Sequence, residues 1–158
     1  MEDHVATPVT LCDWAGGVEA IGRLIGAFYD RVETIDVFDP VFPGGVSPAH
    51  REAVTAWWVE VFGGPSRYTQ EYGGYPNMVR HHRNLQITAE QRATFVSTMS
   101  LAADDAALPA DPEFRSALLA YVEWGTRLAL ANSQLGATPP PRAPVPRWGW
   151  GEAPPYQP

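Results

Sequence analysis

The chain has 158 residues, a formal net charge of −7, an ordinary hydrophobic fraction of 45%, six tryptophans and one cysteine. This length suits one domain with a real core, and the acidity argues against nucleic acid, whose phosphates need clustered Lys and Arg. No apolar run approaches the ~20 residues of a membrane span. The start, Met1-Glu2-Asp3-His4, lacks the basic-then-apolar pattern of a secretion signal, and the lone Cys12 excludes an intrachain disulfide or a Cys-based metal cage and fits a reducing cytoplasm.

Residues 1–9 read as a frayed tail. Thr10-x-x-Asp13 is the capping-box pattern for a one-turn helix stopped by Gly16-Gly17. The next helix, roughly 17–33, carries Val18, Ile21, Leu24, Ile25, Phe28 and Val32 as an amphipathic stripe. Tyr29 lies one i+4 step beyond Ile25, so its ring is expected inside and its hydroxyl needs a partner, either backbone or a ligand. Asp36 to Gly45 is a corner broken by prolines and a glycine pair, with Phe38 and Phe42 plugging the core beneath. Ser47-Pro48 starts a strong helix, serine as N-cap and proline in the first turn, ended near Phe62 by Gly63-Gly64-Pro65. Its inward stripe is His50, Val54, Trp57 or Trp58, and Val61.

Gly73-Gly74-Tyr75-Pro76 is a loop leading into a short helix with two adjacent histidines. Neighbours sit ~100° apart around a helix, while residues three and four apart share a face. Met78, His82 and Leu85 therefore form the apolar stripe, and Asn77, His81 and Asn84 the polar side. An inward His82 needs a partner for its ring nitrogens: a backbone carbonyl, a water or a metal. Thr88-x-x-Gln91 caps the next helix, which carries Phe95, Val96, Met99, Ala102 and Ala103. Asp111-Pro112-Glu113 starts the last one, with Phe114, Leu118, Tyr121, Gly125, Leu128 and Asn132 inward and Gly125 suited to a close backbone approach. Nothing alternates at period two, so the domain, residues 1–136, is all-α. Residues 137–158, rich in proline and tryptophan, are expected to be extended or disordered, unless Trp148 and Trp150 fold back over the domain or dock a partner.

Gly16-Gly17, Phe28-Tyr29, Asp39-Pro40-Val41-Phe42-Pro43, Trp58-x-x-x-Phe62-Gly63-Gly64-Pro65, Gly74-Tyr75-Pro76 and Arg80-His81-His82-x-x-Leu85-x-Ile87 occur in one order. That order and its gaps resemble the truncated haemoglobins, most closely their second group, over about residues 11–134. The resemblance implies a two-over-two helical sandwich around haem b (iron protoporphyrin IX). It makes His82 the proximal iron ligand, Tyr29 the distal tyrosine that hydrogen-bonds bound ligand, and Phe28 and Phe42 the rings that wedge the haem. His50 falls above the iron with Val54 one turn further. The sequence departs from the group at His50, where a small residue is common, at Tyr75, where Gly-His-Pro has histidine, and by one extra residue in the loop before it. Phe95 stands in place of a tryptophan that donates to the ligand.

The function so implied is binding of O2 and related diatomic gases (NO, CO) for storage, scavenging or sensing. The hydroxyl of Tyr29 and an Nε2–H of His50 would donate to the ligand. Two such bonds would slow O2 loss about ten- to a hundred-fold over an apolar pocket. In a variant of this scheme His50 itself takes the sixth iron position. Arg80, His81 and Arg83, with Arg67 further off, are the cations expected near the haem propionates. The alternatives are a haem redox enzyme (NO dioxygenase or peroxidase-like), drawing electrons from a separate, unidentified reductase, and a haem-free helical module whose tail recruits a partner. A homodimer is compatible with either haem reading.

Overall fold

The computed structural model describes residues 9–151; most of the expected N-terminal tail and the Pro154-Pro155 end lie outside them. Among the described residues the protein is all-helical: α1 (Leu11–Ala15), α2 (Val18–Val32), a 3-10 turn (Asp36–Phe38), α3 (Pro48–Val61), α4 (Arg67–Glu71), α5 (Gly74–His82), α6 (Ala89–Asp105) and α7 (Pro112–Asn132).

Local chemistry accounts for most of the boundaries. The Thr10 hydroxyl accepts from Asp13 N at 3.0 Å, and Gly16 ends α1 in the left-handed region at φ 115°. Ser47 accepts from His50 N with Pro48 in the first turn of α3. Thr88 and Gln91 make a complete reciprocal capping box on α6. Asp111 caps α7 through Phe114 N at 2.9 Å. Each such cap satisfies an amide that has no partner within its helix, an effect worth about 1 kcal/mol.

The α2/α3 and α6/α7 pairs form the two layers, and α2 packs most extensively on α6. Ala20, Ile21, Leu24 and Ile25 of α2 and Met99, Ala102 and Ala103 of α6 are completely buried. Small side chains at α6 let the two helices approach while the branched residues of α2 fill the space between them. Outside this contact, Arg31 forks onto the Asp105 carboxylate at the end of α6. Val18, expected on the inward stripe of α2, is instead 53% exposed.

Three further features depart from the sequence reading. Residues 67–71 form a helix that carries no strong sequence signal; its Tyr68 is buried. Helix α5 stops at His82, and Arg83 turns away with ψ 128°, so Leu85 is not on its stripe. At Gly125 the nearest atoms to an added Cβ belong to the Tyr121 side chain, at 3.4 Å, rather than to the backbone of another helix.

The proline-rich segment runs back along the domain as far as it is described. Val145 is buried, Trp148 N donates to Val61 O at 2.8 Å, and the Trp150 indole donates to Val9 O at 2.8 Å. Trp14 meets Trp150 edge-on, with ring centres 5.6 Å apart. The tail thereby ties the end of α3 to the start of the chain.

Candidate functional site

Between the layers lies a cavity of about 680 Å³ with a largely apolar wall, inside the ~300–1,000 Å³ span of small-molecule and cofactor sites. Tyr29, Phe42, His50, Val54, His81, His82 and Phe95 all line it. The corner after α2 supplies Phe42, α3 supplies His50 and Val54 one turn apart, and α5 supplies the two histidines.

Helix α5 presents His82 with its Nδ1 2.7 Å from Met78 O. A carbonyl only accepts, so Nδ1 carries the proton and Nε2 is left with its lone pair on the cavity side. Metal-ligating histidines are commonly held by such a bond, which fixes tautomer and ring angle. Burial pushes the His82 pKa down against the opposing effect of the Met78 carbonyl, so the ring is kept neutral. The loop that follows is clamped: Gln86 N donates to Ser133 O at 2.9 Å, and Ile87 N to Ser133 Oγ at 3.0 Å. Within this loop Asn84 and Gln86 have positive φ (61° and 51°), a region that asparagine tolerates and glutamine rarely enters.

Tyr29 and His50 meet on the same cavity, the phenol oxygen 3.2 Å from Nε2. The partner of the Tyr29 hydroxyl is thus the side chain on α3. The bond has two arrangements. If the phenol donates, Nε2 is a bare acceptor; if Nε2–H donates, the phenol proton is free to point elsewhere. Burial pushes the Tyr29 pKa well above its ordinary value, although Arg51, 5.9 Å from its ring centre, pulls the other way. The phenol therefore stays protonated. His50 is shifted down, chiefly by burial, so it is neutral at physiological pH. Arg51 is itself held by Gly26 O at 3.2 Å, Asp30 at 2.7 Å and Glu33 at 2.9 Å, which braces the Tyr29 side of α2 against α3.

The other expected site residues divide. Phe28 is 1% exposed and lies behind the wall, packed on Tyr29 (5.0 Å between ring centres) and on Phe95 (4.5 Å), so it supports the lining without forming it. Arg80 is off the cavity and donates to Asn77 Oδ1 at 3.1 Å. Arg67 is engaged with Glu52 and Glu71, and Arg83 does not line the wall. The cation that does reach the lining is Arg92, paired with Glu123 at 3.0 Å. It sits in the first turn of α6, where no sequence signal singled it out. Tyr68, Tyr75 and Tyr121 also form wall. Trp57 and Trp58 both reach the cavity; the Trp57 indole donates to the buried Tyr121 hydroxyl at 2.8 Å, and Trp58 packs on Phe62 and Tyr121.

The residues present fit a haem. The cavity is apolar, it takes one neutral imidazole lone pair from His82, and it carries a polar pair, Tyr29 and His50, for a small ligand.

Comparison with known proteins agrees. Residues 10–124 match the bacterial-like globin family. The group 2 truncated haemoglobin YjbI of Bacillus subtilis is 30% identical over 111 residues, covering 70% of this chain and 81% of that protein. Among solved structures, the truncated oxygen-avid haemoglobin from Bacillus subtilis superposes with a TM-score of 0.68 at 25% identity, over 77% of this chain and 99% of the other. The group II truncated haemoglobin from Bacillus anthracis gives 0.71 at 23% identity, over 84% and 100%, a likeness of fold. The chain belongs to the bacterial-like globin family, with the truncated two-over-two fold and similarity to group 2 truncated haemoglobins.

Proposed function

We propose that the protein binds haem b through His82 and uses Tyr29 and His50 to hold O2 or a related diatomic gas. A globin is a haem-based gas-binding protein, and the finer assignment rests chiefly on one observation. The His82 ring is anchored by Met78 O so that its Nε2 lone pair serves the cavity that Tyr29 and His50 also line. Haem iron held by one imidazole supplies an open position for a diatomic ligand. The chain supplies the rest. Phe42, Val54 and Phe95 exclude water from the ligand, and Phe28 backs Tyr29 so that its ring keeps one orientation. With Nε2–H of His50 donating to the phenol oxygen, the Tyr29 O–H is released to donate to the ligand. Arg92 and His81, both on the cavity lining, are the residues that would hold the haem propionates. Phe95 donates nothing, so selectivity for polar ligands rests on the Tyr29–His50 pair.

Absorption spectra of the purified protein, oxidised, reduced and with CO, test the reading. A globin-type Soret band that His82→Ala abolishes is the expected result. Retention of that band in His82→Ala would refute the ligand assignment. Tyr29→Phe removes one donor, worth about 0.5–1.5 kcal/mol, and should speed O2 dissociation by roughly 2- to 12-fold. A low-spin oxidised spectrum that His50→Ala converts to high-spin would instead make His50 an iron ligand.

A further inference from the structure

We propose that Trp57, Tyr121, Trp148 and Trp124 form an electron relay from the haem cavity to the surface. Through it, phenols and aromatic amines too large for the cavity are oxidised one electron at a time, with hydrogen peroxide as the oxidant. The proposal rests on the haem reading above.

The relay begins at the cavity wall, where Trp57 and Tyr121 share a 2.8 Å hydrogen bond. From the Tyr121 ring the next centre, Trp148, is 5.6 Å away, and Trp124 lies 5.5 Å beyond it. Tyr121 and Trp124 also approach directly, at 6.2 Å. Trp124 is 42% exposed but also lines the cavity, whereas Trp148 lies off the wall and is half-buried, so the run leaves the cavity at Trp148. Electron tunnelling falls off exponentially with the gap between rings, and rings in contact carry a charge where one long jump does not.

Aromatic clusters commonly serve packing alone. Here composition and placement separate the two roles. Every member of the run is tryptophan or tyrosine, the side chains most easily oxidised by one electron. The rings found against Tyr29 are Phe28, Phe42 and His50, so the ligand-binding side is insulated by rings that do not oxidise readily. Trp148 comes from the tail, outside the residues that match the family, and is held by its own backbone bond to Val61 O.

The stoichiometry closes. Each phenol loses one electron into Trp124 or Trp148 and its O–H proton to solvent, becoming a phenoxyl radical. Two such electrons, with two protons from solvent, convert one hydrogen peroxide to two waters as its O–O bond breaks.

The test uses the full chain loaded with haem, peroxide, and a phenol tethered to a soluble polymer that cannot enter the cavity. In the native chain, a spin trap followed by mass spectrometry should place the adduct on Trp148 or Trp124. Trp148→Phe should lower the rate on the tethered phenol about tenfold, equivalent to ~1.4 kcal/mol in the barrier. Trp148→Tyr, which packs similarly and still oxidises, should restore most of it. Equal rates for the native chain and Trp148→Phe would overturn the relay, as would adducts confined to Tyr29 or to Tyr68 and Tyr72. A chain that takes up no haem overturns the relay and the haem reading together. Normal CO and reduced spectra without oxidation of the tethered phenol overturn the relay alone.

Discussion

Replacing Tyr121 by phenylalanine isolates one buried hydrogen bond. Tyr121 is 4% exposed and Trp57 7%, and the indole N–H donates to the phenol oxygen at 2.8 Å. Phenylalanine keeps the ring that packs on Trp58, Phe62 and Trp148, so the loss is confined to the oxygen. An indole donor left unpaired in a buried site costs about 1–3 kcal/mol. At roughly 2–4 °C per kcal/mol for a domain of this size, the melting temperature should fall by about 2–12 °C. Trp57 lines the cavity, so water can reach its N–H when haem is absent. The loss should therefore be larger in the loaded protein than in the haem-free one. The assay is thermal and urea unfolding of both forms, with Trp57→Phe and the double variant completing a cycle. The coupling energy should be about 0.5–3 kcal/mol, as for residues in direct contact. A Tyr121→Phe protein within about 0.5 kcal/mol of the native chain in both forms, with no coupling, would refute this account of the wall.

Gly63 has φ +91°, and a Cβ there would come 2.9 Å from the Thr10 side chain. Strain and overpacking together predict a loss of about 2–5 kcal/mol for Gly63→Ala, measurable as a lower urea midpoint. Ser47→Ala removes the oxygen that accepts from His50 N and should cost about 1 kcal/mol by the same measurement, with α3 fraying at the turn that carries His50. Glu33 accepts from Val46 N at 3.0 Å and from Arg51 at 2.9 Å, which holds its pKa below the ordinary 4.5. A depressed folded-state pKa means stability that is fully present above the unfolded value and is lost as pH falls through the folded one. Glu33→Gln should thus melt lower than the native chain at neutral pH, with the gap closing below about pH 4.5 as the native carboxylate protonates; melts from pH 7 to pH 3 check this.

The helices were legible because their signals are local. Ser47-Pro48, Thr88 with Gln91, and Asp111-Pro112 each act within one turn, and the stripe on α2 needs only a period of 3.6. The same arithmetic set His82 apart from His81 before any neighbour was known, since Met78, whose carbonyl holds the ring, lies four residues earlier on the same face. Helix α4 escaped because its Ser66 N-cap makes no side-chain bond and its Arg67–Glu71 pair is solvent-exposed. Leu85 left the stripe because spacing cannot foresee a helix ending at His82.

What the sequence by itself determined, then, is the run of helices and which face of each turns inward, including His82, Tyr29 and His50. These follow from bond geometry and from the cost of wetting apolar surface, both fixed over a few residues. Only the tertiary structure decided that Tyr29 and His50 share a hydrogen bond, that Phe28 stands behind the wall, and that Arg92 rather than Arg80 reaches the cavity. It also decided that Trp57 meets Tyr121 across 64 residues of chain and that Trp148 folds back beside them. Those outcomes depend on how helices cross and at what height. Crossing is set by packing of the whole core, to which every side chain contributes and which no single stretch encodes.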